Sequence, residues 1–172
     1  MSENQFSLLK TSRFLPLFVT QFFGAFNDNV FRFSVSILIT YKLVSESGSD
    51  ATMLLAIAAG LFTLPFFLFS GTAGQLADKY DKSLLARRIK LAEICVMVLA
   101  AISLWLESVP MMMMVLFLTG AQSTFFGPIK YGILPQHLRE DELVGGNAII
   151  ETGTFVAILL GTLFGGLLIT NS

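Results

Sequence analysis

The fold is decided by Gln21-Phe-Phe-Gly-Ala-Phe-Asn-Asp-Asn-Val-Phe-Arg32, a stretch in the middle of the first long apolar run of the chain. On a helix, its small and polar residues fall within one arc of roughly 120°, and its aromatic and aliphatic residues fall on the opposite side. The small and polar arc consists of Gln21, Gly24, Ala25, Asp28, Arg32 and Ser36. A charge near the middle of a membrane-spanning helix costs about 2.5–3.5 kcal/mol. This arc must therefore face protein or a water-filled path rather than lipid.

Two interpretations of the charged residues in this stretch remain open. Asp28 and Arg32 lie one helical turn apart, so they can neutralise each other and hold a helix bundle together. Alternatively, the stretch lines the path of a transported substrate through Gln21, Asn27, Asp28, Asn29 and Arg32. The two asparagines favour the substrate path, because a self-neutralising pair does not need them.

Composition places the chain among the polytopic membrane proteins. Of its 172 residues, 54% are hydrophobic and 13% are charged, and the mean hydropathy is +0.74. Soluble domains carry about 25% charged residues, so membrane lipids are the expected surroundings. The net charge of −1 indicates no nucleic-acid partner and no polybasic lipid anchor. Cys95, the single cysteine, lies in an apolar run and has no disulfide partner.

The apolar pattern predicts an all-α bundle of five membrane-spanning helices. Their expected bounds are about 14–41, 53–77, 84–106, 110–134 and 147–170. Pro65 and the Gly127-Pro128 pair predict kinks or breaks within the second and fourth helices. Ser83 is a candidate N-cap of the third helix, and Pro110 suits the first turn of the fourth.

The distribution of basic residues predicts the orientation. The 78–90 loop carries five Lys or Arg residues, whereas residues 42–52 carry one and residues 107–110 carry none. The positive-inside rule therefore places the N-terminal tail (1–12) and the 78–90 and 135–146 loops in the cytoplasm. Lys10 and Arg13 before an apolar run resemble a signal peptide, but no Ala-x-Ala site follows, which favours a retained helix. The odd number of helices and their unpartnered polar faces predict a fragment that is completed by the remaining helices of the same membrane protein.

The connection between the second and third helices reads Gly74-Gln-Leu-Ala-Asp-Lys-Tyr-Asp-Lys82. It resembles the G-x-L-A-D-[RK]-[FY]-G-[RK]-[RK] loop of the major facilitator superfamily, with Asp81 where glycine is usual. In that family the loop latches the two halves of the transporter in one access state, a role implied here for Gly74, Asp78, Lys79 and Lys82. From the residues themselves, Gly74 would allow a helix end to pack closely, and Asp78 could accept hydrogen bonds from a neighbouring helix N-terminus. The alternative is a charged loop that only fixes the topology.

Two further stretches resemble the bacterial lysophospholipid transporters, and also the transporter region fused to lysophospholipid acyltransferase and acyl carrier protein ligase domains. They are residues 14–32 and Phe125-Phe-Gly-Pro-Ile-Lys-Tyr-Gly-Ile-Leu-Pro135. The resemblance covers residues 1–172, which would form the first five of about twelve helices of this fold in the inner membrane. It implies alternating access that flips lysophospholipid, chiefly lysophosphatidylethanolamine, from the outer to the inner leaflet for reacylation.

Other apolar runs also contain ionisable residues. Lys130 and Glu151 each lie about four residues inside the cytoplasmic end of their helix, so they can pair or can each snorkel to the interface. Glu93 lies deeper, with the same alternatives. In the fifth helix, Gly161 and Gly165 have the small-xxx-small spacing that favours close helix packing.

The chain shows no constellation for catalysis. His137 is the only histidine, which leaves no Ser-His-Asp triad or histidine-based metal site, and no phosphate-binding glycine loop occurs. We therefore expect a transporter without cofactor or metal, and not an enzyme. Three alternatives stay open: a facilitator for another small polar solute, the membrane part of an acyltransferase–ligase fusion with downstream enzyme domains, and an inactive gene fragment.

Overall fold

Five long helices form the bundle in the computed structural model, which describes residues 5–43 and 51–170. They are α1 (Leu15–Leu38), α2 (Ala51–Lys79), α3 (Lys82–Trp105), α4 (Val109–His137) and α5 (Glu140–Thr170). A 3₁₀ helix (Gln5–Lys10) precedes α1, and a π-helical segment (Ile39–Leu43) continues it. No strand occurs in these two ranges, and the all-α prediction is confirmed. The first four residues of the predicted tail and most of the predicted 42–52 loop lie outside the described residues.

The α5 helix begins at Glu140, earlier than the predicted start at 147, because three acidic residues in its first turn favour a helix N-terminus. The Glu142 carboxylate accepts a hydrogen bond from the Arg139 backbone N–H at 2.9 Å, in the manner of a capping box. Gly145 and Gly146, which suggest a loop in the sequence, are buried inside this helix. The predicted 135–146 loop is therefore reduced to a short connection.

The α3 helix is capped by Asp81 and not by the predicted Ser83. The Asp81 Oδ1 atom accepts a hydrogen bond from the Leu84 backbone N–H at 2.8 Å. Asp81 has a φ of −59°, so its backbone conformation does not require glycine. Aspartate at this place supplies a side-chain cap that glycine lacks.

Proline residues do not interrupt the helices. The α2 helix continues through Pro65, and α4 continues through Gly127-Pro128. A proline inside a helix removes one backbone hydrogen bond and crowds the preceding turn. Ile129 and Leu134, which follow the pair in α4, are almost fully buried, so packing holds this part helical. Pro110 occupies the first turn of α4, as predicted.

Close backbone approach joins α5 to α1, while α4 packs against α2 and α3. An added Cβ atom would lie 2.5 Å from the Phe26 carbonyl oxygen at Gly161, and 2.5 Å from the Val30 carbonyl oxygen at Gly165. Only glycine allows this contact, which agrees with the predicted packing surface. The glycines of α2 differ, because an added Cβ meets no atom within 4 Å (Gly60, Gly71 and Gly74).

Two apolar clusters lie toward opposite ends of the bundle. The first cluster joins the second half of α1 to α2, α3 and α4 (Phe31, Val35, Leu38, Ala58, Ala100, Met112 and Val115). The second cluster joins the 3₁₀ helix and the start of α1 to α4 and α5 (Leu8, Phe14, Leu134, Leu138, Ile149 and Ile150). Part of the predicted tail is helical because Leu8 is buried in this second cluster.

By length and apolar composition, three of the described helices are sufficient to cross a membrane: α2, α4 and α5. The α1 and α3 helices have 24 residues each, which exceeds the roughly 20 that a span needs. Their sequences are more polar, and they carry Asp28, Arg32, Lys90 and Glu93. That they also cross the membrane stays a prediction.

Candidate functional site

A cavity of about 340 Å³ lies between the two apolar clusters. Residues of all five helices form its wall. Its polar lining consists of Gln21, Asp28, Asn29, Arg32, Lys90, Glu93, Gln122, Ser123, Lys130 and Thr154, and its aromatic lining of Phe62, Phe66 and Phe126. Ionisable side chains within apolar helices are typical of substrate or ion paths in membrane proteins.

Asp28 of α1 has only one of its two carboxylate oxygens hydrogen-bonded. The Ser123 hydroxyl of α4 donates to Asp28 Oδ2 at 2.7 Å. Asp28 Oδ1 is buried and accepts no hydrogen bond within the described residues. A buried acceptor without a donor is costly, and the side chain is only 9% exposed. This oxygen is therefore the acceptor of Asp28 that a hydrogen-bond donor of a ligand would satisfy.

Arg32 does not neutralise Asp28 directly. Its guanidinium lies over the Phe62 ring of α2, 4.1 Å from the ring centroid, and the residue is exposed. In the described part of the chain no ion pair joins it to Asp28. The self-neutralising pair, one of the two interpretations of the sequence, is not formed, because Arg32 stacks on an aromatic ring instead.

Glu93 of α3 belongs to a polar cluster through one of its two carboxylate oxygens. Its Oε2 atom accepts from Lys90 Nζ at 2.6 Å and from Gln122 Nε2 at 2.5 Å. The Lys90 ammonium also lies 4.2 Å from the Phe126 ring centroid. An added Cβ at Gly24 of α1 would lie 2.6 Å from Lys90 Nζ, so this glycine makes room for the cluster. Of the two alternatives predicted for Glu93, pairing and snorkelling to the interface, the structure shows pairing, with the side chain buried.

Lys130 and Glu151 are brought together. Lys130 Nζ lies 3.0 Å from Glu151 Oε1, and the Tyr131 hydroxyl donates to the same oxygen at 2.8 Å. The Lys130 side chain is 8% exposed and that of Glu151 is 40% exposed, so the pair spans from the cavity wall to the surface. Lys130 therefore does not snorkel away from the bundle.

The structure places four of the five predicted path residues in the cavity wall, namely Gln21, Asp28, Asn29 and Arg32. Asn27 is half-buried and is not among the lining residues. Gln21 Nε2 donates to Thr154 Oγ1 at 3.2 Å, which ties α1 to α5. Asn29 Nδ2 donates to the Ala25 carbonyl oxygen of its own helix at 2.7 Å. The substrate path itself stays a prediction.

Several lining residues are absent from the sequence-based prediction, among them Lys90, Gln122, Ser123 and Phe126. Gln122 and Ser123 carry a signal in the sequence, because they are adjacent polar residues inside an apolar helix. Lys90 belongs to a basic run, which hides it among loop residues.

Comparison with known proteins places the chain in a family. Residues 17–172 match the Major Facilitator Superfamily. This chain belongs to the major facilitator superfamily. The resemblance seen in the sequence is thereby confirmed, and the superfamily points to a transporter rather than an enzyme. No solved structure matches the chain significantly.

Curated members of the superfamily named lysophospholipid transporter LplT are similar to most of this chain. The protein of Pectobacterium carotovorum subsp. carotovorum (strain PC1) is 31% identical over 153 residues, which are 87% of this chain and 34% of the relative. The protein of Photorhabdus laumondii subsp. laumondii is 30% identical over 160 residues, 93% of this chain and 37% of the relative. The protein of Cronobacter sakazakii is 29% identical over 154 residues, which are 90% of this chain and 36% of the relative. This chain spans about a third of the length of the curated relatives it matches.

The superfamily loop between α2 and α3 makes few contacts within the described residues. Gly74 meets open space, and the exposed Asp78 carboxylate accepts no hydrogen bond there, so neither predicted local role is observed. Lys79 Nζ lies 5.5 Å from the Tyr80 ring centroid. The Lys82 stem packs on α4, where an added Cβ at Gly132 would lie 2.5 Å from Lys82 Cε. The latch role of this loop stays a proposal.

Proposed function

We propose that this protein moves a lysophospholipid, chiefly lysophosphatidylethanolamine, from the outer to the inner leaflet of the bacterial inner membrane. The names of its relatives support this substrate class. The proposed mechanism is alternating access, in which one site faces each side of the membrane in turn. The proposed partner that reacylates the delivered lipid is a lysophospholipid acyltransferase–acyl carrier protein ligase.

The observation that carries the proposal is the unpartnered Asp28 Oδ1 atom in the cavity wall. The primary ammonium of an ethanolamine headgroup supplies the N–H donor that this oxygen lacks. Arg32, one helical turn away and stacked on Phe62, is the proposed contact of the phosphate. Gln21 and Asn29 border the same space and would add neutral hydrogen-bonding groups.

The acyl chain of the lipid needs no polar path. Phe23 and Phe33 of α1 are exposed on the outside of the described bundle, away from the buried Asp28. The acyl chain can stay in contact with such apolar surfaces while only the headgroup crosses the cavity. This division matches a helix with one polar side and one phenylalanine-rich side.

Uptake of radiolabelled lysophosphatidylethanolamine by cells that express the protein from its own gene tests the proposal. We expect Asp28→Asn to lower the uptake at least about tenfold, because a hydrogen bond to a charged group contributes roughly 1.5–3 kcal/mol. Thr63→Ala serves as the control, since within the described residues the Thr63 hydroxyl bonds only to the Ala59 carbonyl of its own helix turn. Unchanged uptake by Asp28→Asn would refute the role of this carboxylate.

The same assay separates a lipid transporter from a facilitator of small polar solutes. Glycerophosphoethanolamine has the same headgroup but no acyl chain, so it should compete poorly if the lipid is the substrate. Equal transport of this soluble compound would favour the polar-solute alternative and contradict the proposal.

We also propose that the start of α1 and the α2–α3 and α4–α5 connections are cytoplasmic. Gly74, Asp78, Lys79 and Lys82 would then latch this half of the transporter against its remaining helices. In a Cys95→Ser background, a membrane-impermeant maleimide applied to intact spheroplasts should label Glu107→Cys and leave Ser83→Cys unlabelled. Both positions are exposed in the structure, so accessibility should report the side of the membrane. Labelling at position 83 alone would reverse the proposed orientation.

A further inference from the structure

We propose that Ser123 is a positioning residue, which holds the Asp28 carboxylate in one rotation within the cavity wall. This inference rests on the proposed function, because it concerns how the same carboxylate receives the headgroup. Ser123 lies on α4 and makes no proposed contact with the substrate. Its proposed effect on the headgroup is exerted through Asp28 alone.

The geometry of the serine hydroxyl supports this role. Ser123 Oγ lies 2.7 Å from Asp28 Oδ2 and 3.3 Å from Gln122 Oε1. A hydroxyl has one proton to donate, and the shorter contact to the carboxylate is the stronger one. With Oδ2 held in this way, the carboxylate has a fixed rotation and leaves Oδ1 as its unpartnered atom.

The side-chain oxygen of Gln122 is the other acceptor near the serine, and its amide group is bonded to Glu93 of α3. Gln122 Nε2 donates to Glu93 Oε2 at 2.5 Å, so the amide must turn its Oε1 atom toward Ser123. Lys90 donates to the same Glu93 oxygen at 2.6 Å, and its ammonium lies over the Phe126 ring. Because the single serine proton goes to Asp28, Gln122 Oε1 at 3.3 Å is only the longer, alternative acceptor of that proton.

The arrangement fixes which Asp28 oxygen is hydrogen-bonded within the protein and which one is left for a ligand. A carboxylate that rotated freely would offer either oxygen to a ligand and would lose that freedom on binding. A carboxylate held by Ser123 has already lost it. The expected effect of the serine is therefore on the binding of the lipid and not on the later steps of transport.

A graded series at position 123 tests this role in the protein expressed from its own gene and reconstituted into vesicles. The probe is lysophosphatidylethanolamine, and both KM and the maximal rate are measured. Ser123→Ala should raise KM about tenfold and change the maximal rate by less than about twofold, which is the range of a lost hydrogen bond to a charged group. Ser123→Thr keeps the hydroxyl and should behave like the parent protein, whereas Ser123→Cys, a weaker donor, should fall between them.

Several results decide the inference. Unchanged KM in Ser123→Ala would overturn it, and so would equal impairment of the Ala and Thr variants, which would indicate packing rather than hydrogen bonding. Thermal unfolding in detergent verifies that each variant is folded. If Asp28→Asn abolishes uptake while Ser123→Ala does not change KM, the proposed function stands and only the positioning role fails. If Asp28→Asn also leaves uptake unchanged, both the proposed role of Asp28 and the positioning role of Ser123 are refuted.

Discussion

Toward α5, the first helix presents its backbone, and Gly161 and Gly165 reach the carbonyl oxygens of Phe26 and Val30. Toward α3 and α4, the same helix presents Asp28, whose neighbours include a serine hydroxyl and an arginine one turn away. The glycine side depends on the absence of side-chain atoms. The cavity side depends on which polar atoms meet and which one stays without a partner. The two sides should therefore respond to different substitutions, the first through packing and the second through charge and transport.

Exchange of the two charges of α1 should have the largest effect on transport. In Asp28→Arg/Arg32→Asp the net charge of the two positions is unchanged. The new arginine at position 28, however, would lie in the buried site beside Lys90, and Ser123 would lose its carboxylate acceptor. We expect uptake of lysophosphatidylethanolamine to fall by more than about tenfold, as for loss of a charge-assisted hydrogen bond. Arg32→Lys, which keeps the charge, is the milder comparison. Normal uptake at normal membrane abundance would mean that charge neutrality alone matters on this side.

The Lys90–Glu93 pair tests the cost of unpaired charge on the cavity side. Lys90→Met leaves Glu93 buried with Gln122 as its only remaining donor, and we expect a loss of about 3–5 kcal/mol in the free energy of unfolding. Lys90→Met/Glu93→Gln removes both charges and should recover most of that loss. Denaturant unfolding in detergent measures both variants. If the double variant is the less stable of the two, the pair contributes more by its own attraction than by avoiding an unpaired charge.

The difference between the two sides also explains what the sequence predicts and what it does not. The spacing of Gly161 and Gly165 predicts a packing surface because both residues lie on one helix and share one face. The contact between Asp28 and Ser123 depends on how α1 and α4 cross, which the periodicity of a single helix does not contain. For the same reason Asn27, one residue from Asp28 in sequence, does not line the cavity.

Helix ends show a second limit of the sequence. Gly145-Gly146 indicates a loop, yet the Arg139–Glu142 contact begins α5 earlier and packing buries both glycines. Local residue preferences were outweighed here by a tertiary contact, since Gly146 receives the Leu138 side chain. The all-α class and the order of helices are predictable because apolar length alone determines them.

Glycine-to-alanine substitutions at a packed and at an open position measure how much the close contact between α1 and α5 contributes to stability. Gly161→Ala would place a Cβ atom 2.5 Å from the Phe26 carbonyl oxygen, so we expect a loss of about 1–3 kcal/mol in the free energy of unfolding. Gly60→Ala adds the same methyl group where no atom lies within 4 Å, and it should be neutral or stabilising by up to about 1 kcal/mol. Thermal unfolding of both variants in detergent tests the difference. Equal effects would show that α1 and α5 do not need this close approach.

The smallest effect is expected at Asp81, which lies on neither side of α1 and stabilises one helix end. Asp81→Ala removes the acceptor of the Leu84 backbone N–H and should cost about 1 kcal/mol in the free energy of unfolding. Asp81→Ser keeps a capping oxygen and should recover most of this loss. Ser83→Ala is the matched control, because Ser83 is exposed in the first turn and does not cap the helix. If Ser83→Ala were the more destabilising change, the cap would be the serine that the sequence suggests. Asp81→Gly restores the residue usual in the superfamily loop, and it should cost only a few tenths of a kcal/mol relative to Asp81, as glycine does at an N-cap.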